Sequence, residues 1–161
     1  MGEVTFEEFV TATAGRLLRT AVFLVCDRHL AEDLLQTAYE RVARRWPRVR
    51  RTEYPEAYAR KVLLNLAIDH GKRRRDLPVG SIADLERIAG QVTVALPDGL
   101  DHVLAALPAK QRAVVVLRYW CDLSEEEIAE TLGISRGTVK SHTARAMKAL
   151  RKELTQEGEP R

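Results

Sequence analysis

The side chains whose types and spacing could do chemistry form recognition sets rather than catalytic ones. Residues 136–152 carry six basic side chains and no acid. Projected as a helix, Val139, Thr143, Ala146 and Leu150 fall on one side, with Met147 at its edge. Gly137, Ser141, Ala144, Arg145 and Lys148 fall opposite, flanked by Lys140. Small residues there would let a helix approach a groove floor. Arg145 and Lys140 could reach guanine edges or phosphates, Ser141 could bond to several bases, and Ala144 could meet a thymine methyl. A second set, Tyr58, Lys61, Asn65 and Lys72, shares one face of an earlier helical stretch. Asn65 carries both donors and acceptors for a base edge. Tyr58 offers a stacking surface, and Arg50, Arg51 and Arg60 offer phosphate contacts. A third set, Asp33, Gln36 and Glu40, makes a narrow polar stripe. Each set has an ordinary alternative: a solvated basic side of a packing motif, a structural asparagine, or plain acidic surface.

Other chemistries find no residues. There is no P-loop, no GxGxxG and no arrangement of nucleophile and base. His29, His70, His102 and His142 are scattered without ligand spacing, and nothing in the sequence argues for a cleft at Asp69 and His70. Cys26 and Cys121 are far apart, which argues for separate thiols in a reducing compartment rather than for a disulfide or zinc site. These absences predict a protein that is not an enzyme and needs no cofactor or metal. Residues 1–6 are acidic and lack an apolar core, so they do not read as a secretory signal, and no apolar run reaches membrane-spanning length. No membrane insertion and a cytoplasmic location, on the nucleoid when active, are expected.

The elements that must position these sets are helices. The 161 residues are rich in Ala, Leu, Arg and Glu, and only 6% are aromatic. Phe6, Phe9, Val10, Leu17, Leu18, Ala21, Val22 and Val25 have helical spacing, and Thr5 with Glu8 fits a capping box. Residues 30–46 follow, with Leu34, Ala38, Val42 and Trp46 as the expected core stripe and Pro47 as the stop. Residues 48–54 read as a short basic loop. Pro55 opens a helix that ends in the run 72–75. Residues 76–99 are acidic and broken by Pro78, Gly80, Gly90, Pro97 and Gly99, as suits a flexible linker with one helical turn at 82–89. After Pro108, residues 111–119 read as a buried helix and Asp122–Leu123 as a turn. Ser124 should cap a helix through Leu132, with Glu125, Glu126 and Glu127 at its positive end. Gly133, Ile134 and Ser135 make a tight turn into the last helix, which should run to about residue 154. That is the layout of a helix-turn-helix. Charge is uneven: residues 41–76 hold twelve basic and four acidic side chains, while the first forty are net acidic. Two basic blocks suggest two contacts with a polyanion.

LPAKQRAVVVLRY at residues 107–119 and LSEEEIAETLGISRGTVKS at 123–141 resemble region 4 of extracytoplasmic-function (ECF) sigma factors. In the other half, AEDLLQTAYERV at 31–42 is similar to sigma region 2.2, and PEAYARKVLLNLAIDH at 55–70 is similar to regions 2.3 and 2.4. The segments come in the family's order and together span nearly the whole chain. The resemblance implies an all-α fold of two small helical domains: region 2 at residues 1–75, a linker at 76–99, region 4 at 100–154 and a tail at 155–161. It implies an alternative sigma factor that binds core RNA polymerase, recognises the −10 and −35 promoter elements and promotes strand opening. Asp33, Gln36 and Glu40 would then dock on the polymerase clamp helices. Asn65 would contact a flipped-out base of the −10 element, with the loop at 50–54 as its pocket wall. Arg136 and His142 would join the −35 set. Departures fall at His142, where the family often has arginine, and at Ala144, where it often has a larger residue. The loop before Pro55 is also short of the family's usual small polar residues, and in these departures the chain resembles the actinobacterial, SigE-like subgroup. Whether an anti-sigma partner exists is left open. The rival readings are a dimeric DNA-binding regulator, for which no heptad seam is found, and a helical enzyme or adaptor with an incidental helix-turn-helix.

Overall fold

The structure is a computed structural model and describes residues 2–76 and 100–157. All regular structure among the described residues is helical. Two compact units divide the chain, residues 1–93 and 94–161. The linker expected at 76–99, with its helical turn at 82–89, lies outside the described residues save for Asp76.

In the N-terminal unit, α1 (Phe6–Val25) starts at a capping box in which Thr5 accepts from the Glu8 amide and Glu8 accepts from the Thr5 amide. It stops at Cys26, which takes a left-handed conformation at φ 55° and donates its amide to Val22. Asp27 caps α2 (Arg28–Arg44). The buried side of α2 is Ala31, Leu35, Ala38 and Val42. Leu35, not the expected Leu34, is the core leucine, because the spacing 31, 35, 38, 42 keeps one face turned inward whereas Leu34 sits a quarter-turn away. The helix also ends at Arg44, before Trp46. Residues 46–49 make a separate turn, α3 (Trp46–Val49), with Pro47 in its first positions instead of terminating α2. This turn lets Trp46 fold back onto Phe6 and Phe9, with ring centroids 5.6 and 5.0 Å away. Tyr39 completes the cluster and shares a 2.8 Å hydrogen bond with Thr13. Burial holds the Tyr39 phenol above its ordinary pKa, against the opposing pull of that hydrogen bond.

α4 (Pro55–Asp76) packs against both α1 and α2. Ala59, Leu63 and Leu64 are buried, and from Lys61 to Arg73 only Lys61, Asn65, Asp69, Lys72 and Arg73 are exposed. Its entry is fixed by Arg16 of α1, which donates from Nε and Nη2 to the two Glu56 carboxylate oxygens at 2.9 and 3.0 Å.

In the C-terminal unit, α5 (Leu100–Ala106) and α6 (Ala109–Val115) flank Pro108. The expected helix over 111–119 begins two residues earlier, and its end widens into a π-helical turn at Val116–Trp120, closed by the Cys121 amide on the Val116 carbonyl. The wider turn keeps Ala113 to Leu117 inside and turns Tyr119 and Trp120 to the surface. Asp122, left-handed at φ 55°, leads into α7 (Glu125–Leu132), capped by a reciprocal Ser124–Glu127 box. α7 ends at Gly133 at φ 65°. A Cβ there would meet no neighbour, so glycine is wanted for its backbone conformation and not for space. α8 (Arg136–Glu157) follows and extends three residues past the expected end at 154.

Candidate nucleic-acid interface

In the helix-turn-helix, Ile128 and Ala129 of α7 and Val139 and Ala146 of α8 are buried together, so α8 is held by one face. Ser135 accepts from the Thr138 amide at 3.1 Å and begins the helix. The opposite face carries Arg136, Gly137, Lys140, Ser141, Ala144, Arg145 and Lys148, all exposed. Ser141 donates to the Gly137 carbonyl at 3.1 Å, so its hydroxyl oxygen stays available as an acceptor. His142 differs from the rest of its set. It is half-buried, its Nδ1 is closed off without a partner, and its pKa lies below the usual imidazole value, first through burial and then through Arg145 and Lys110. A neutral ring leaning into the unit is what that environment favours.

The N-terminal residues divide into three places. Asp33, Gln36 and Glu40 are exposed on the side of α2 away from Ala31, Leu35, Ala38 and Val42. Gln36 and Glu40 also edge an apolar groove that α1 and α2 form around Phe6, Val10 and Leu18.

Tyr58 and Asn65 line a second groove, of about 410 Å³, with Val62 of α4 and with Arg41, Arg44 and Arg45 from the end of α2. No carboxylate lines it. Arg41, Arg44 and Arg45 are exposed and take part in no ion pair among the described residues. Lys61 and Lys72 continue the exposed stripe of α4 on either side of Asn65, and Asp69 puts one acid among them.

Arg50 and Arg51 lie elsewhere. They line a pocket with Glu3, Trp46 and Arg16, and Arg50 pairs with Glu3 at 2.7 Å. The loop at 50–54 therefore does not wall the groove at Asn65; the last turn of α2 does. Arg60 is half-buried and, five residues from Asn65, well round the helix from it.

Among the described residues no group of three or more His, Cys, Asp or Glu is placed to hold a metal ion, and no helix is long and apolar enough to cross a membrane. Cys26 is buried, with its thiol donating to the Phe23 carbonyl at 3.8 Å, and Cys121 is half-buried.

Residues 9–76 match the family described as Sigma-70 region 2, and residues 98–150 match Sigma-70, region 4. The chain belongs to the sigma-70 family, in its ECF group. It is 41% identical over 157 residues to the RNA polymerase sigma-E factor of Streptomyces coelicolor, covering 96% of this chain and 89% of that one. It is 29% identical to the RNA polymerase sigma factor SigV of Bacillus subtilis, over 86% of this chain and 84% of the relative. Among solved structures it resembles the sigma factor RpoE in a co-crystal with the anti-sigma factor NepR from Bartonella quintana. The TM-score is 0.71 at 23% identity, covering 93% of this chain and 96% of that one, which speaks for the fold.

Both family segments of this sigma factor contain one of the basic faces. Arg41, Arg44 and Arg45 are what the sequence reading missed. The signal is the basic block that begins at residue 41, but composition does not show that Arg41, Arg44 and Arg45 lie on the face that meets α4.

Proposed function

We propose that this chain is an alternative sigma factor that joins core RNA polymerase, reads promoter DNA at two elements and helps open the strands between them. Asp33, Gln36 and Glu40 dock on the polymerase. Their support is exposure on an acidic side of α2, away from its buried face, where charge complementarity would orient docking. The face of α8 with Arg136, Lys140, Ser141, Ala144, Arg145 and Lys148 reads the −35 element in the major groove, with Gly137 giving close approach and His142 at its margin. Asn65 and Tyr58 hold an unpaired −10 base, and Lys61 and Lys72 hold flanking backbone. Arg50, Arg51 and Arg60 serve as outlying phosphate contacts, Arg50 only when Glu3 releases it. The domain boundaries at 75, 100 and 154 follow from the same reading, as does a cytoplasmic location without enzymatic activity. An anti-sigma factor, such as the one bound to the Bartonella neighbour, is a partner of the kind this fold accepts.

The observation that carries this reading is the pairing, in one chain of the family, of an acid-free outer face on a helix-turn-helix with a separate acid-free groove at Asn65. Run-off transcription with purified core polymerase and genomic promoter fragments tests it. The chain should direct discrete transcripts that core alone does not make. A chain carrying Asp33→Arg with Gln36→Ala should keep its helix content yet be lost from core in a pull-down. Absence of any chain-dependent transcript with active core would overturn the reading.

A further inference from the structure

The pocket at Arg50 is lined by three carboxylates, and two of them are engaged in holding helices. Glu8 accepts from the Thr5 amide and closes the cap of α1. Glu56 takes both donors of Arg16 and fixes the entry of α4. Glu3 does neither. It stands two residues before the cap of α1, outside the helix, and its ion-pair partner is Nη1 of Arg50 at 2.7 Å. The helix dipole does not account for it, because that field falls off within the first turn. Folding does not need the pair either. The Glu3 side chain is 74% exposed, Val4 beside it is exposed, and an exposed ion pair contributes little to stability.

The pair also leaves the arginines incompletely served. Arg50 Nε is buried without a hydrogen-bond partner among the described residues. Arg51 lines the same pocket and takes part in no ion pair among them. One carboxylate thus answers a site with two adjacent guanidiniums. A phosphate is the better match, since it presents several oxygens to their paired donors. From Arg41 to Arg51 the chain has six arginines and no acid, so the acid at this site is brought by the residues before α1.

We infer that residues 2–4 are a strap whose Glu3 carboxylate stands in for a DNA phosphate on Arg50, so that the chain carries its own weak competitor for the polyanion it binds. The contact is autoinhibitory. A complex that uses Arg50 must first break it, and the strength of an exposed pair sets the penalty at roughly two- to fivefold in affinity. A closed strap also withholds one phosphate contact, which makes binding less sensitive to salt. The inference rests on the sigma-factor reading for its ligand and adds a regulatory role for the segment before α1, which none of the recognition sets includes.

The test is a cycle of four full-length chains: unsubstituted, Glu3→Gln, Arg50→Gln, and both together. Each is assembled into holoenzyme and titrated onto an intact promoter recovered by run-off transcription. Each is also titrated alone onto a mixed-sequence duplex at low salt. Glu3→Gln should bind both roughly two- to fivefold more tightly and steepen the salt dependence by up to about 0.9, the contribution of one more phosphate contact. In the Arg50→Gln background the same change should add nothing. Glu7→Gln removes an equal charge from an exposed acid in the first turn of α1 and should leave both affinities where they were. No gain with Glu3→Gln would overturn the proposal. So would a gain of equal size in the Arg50→Gln background or with Glu7→Gln, since either would reduce the effect to net charge. If the unsubstituted chain fails to join core or to direct a transcript, the sigma-factor reading falls, and the cycle on the free chain still decides whether the strap competes with DNA.

Discussion

In the C-terminal unit, the side chains proposed to read DNA sit on one helix, α8, whose other face is buried against α7. In the N-terminal unit, comparable chemistry is divided: Tyr58 and Asn65 come from α4, and Arg41, Arg44 and Arg45 from the end of α2. A surface carried by one helix needs only that helix to be capped and seated. A groove between two helices exists only where their packing brings them together. The first should tolerate change in its partners as long as α8 stays docked, and the second should answer to anything that shifts α2 against α4.

The comparison would break most visibly if the two surfaces could not be lost one at a time. Ile128 is completely buried in the C-terminal unit. Ile128→Ala should cost about 2–5 kcal/mol, a large share of what a small domain has. Circular dichroism melting should show that unit destabilised and −35 duplex binding lost, while core pull-down persists. Concurrent loss of core binding would mean that the two surfaces are not separable. Next in size is Asn65→Ala, expected to remove about 1–3 kcal/mol of base recognition. Holoenzyme carrying it should keep −35 binding but show weak permanganate reactivity of −10 thymines, and a preformed bubble should reduce the defect. Full reactivity on the closed template would move the base-reading residue elsewhere. On the single-helix surface, Arg145→Ala should cost about 1–3 kcal/mol and relax the preference at one base pair. Lys148→Ala should weaken binding evenly and flatten the salt dependence. An unchanged base preference in the Arg145 variant would shift the reading face round the helix.

The smallest effect concerns His142. Its folded pKa is lowered, so the unfolded chain takes up the proton first. The stability contributed by the neutral ring is complete above the ordinary imidazole pKa, near 6.5, and is lost as pH falls through that value toward the folded one. Calorimetric midpoints of the full chain should fall with acidification in this window, and less steeply in His142→Gln. Parallel curves would show that the ring is not what titrates.

This contrast also marks what the sequence could convey. The face of α8 was legible because periodicity alone separates Val139 and Ala146 from Arg145 and Lys148, and because Ser124, Glu127 and Gly133 announce the caps that hold the motif. The stripe of Tyr58, Lys61, Asn65 and Lys72 was legible for the same reason. The wall of the Asn65 groove was not. Arg41, Arg44 and Arg45 are twenty or so residues away, and only the packing of α2 on α4 makes them neighbours. The loop at 50–54 is nearer in sequence, but Arg50 pairs with Glu3 and Arg50 and Arg51 face a different pocket, a tertiary arrangement that local sequence does not carry. Leu35 in place of Leu34 follows from the spacing that Ala31 shares with Ala38 and Val42, while the short α3 after Arg44 goes with the packing of Trp46 on Phe6 and Phe9, which no local propensity dictates. The π-helical turn at Val116–Trp120 likewise leaves no mark in the residue types, because it resets the phase of a run that is apolar throughout.

That aromatic cluster gives the molecule a built-in optical label. The chain has two tryptophans, one in each unit. Trp46 is half-buried against Phe6 and Phe9, and Trp120 is 43% exposed after the π-helical turn. One indole sits among rings and the other borders water, so their emission should differ in colour and in access to an ionic quencher. Replacing either with phenylalanine would leave a single fluorophore reporting on its own unit. The docking proposed for the N-terminal half and the DNA binding proposed for the C-terminal half could then be followed separately in one cuvette, without attaching a dye.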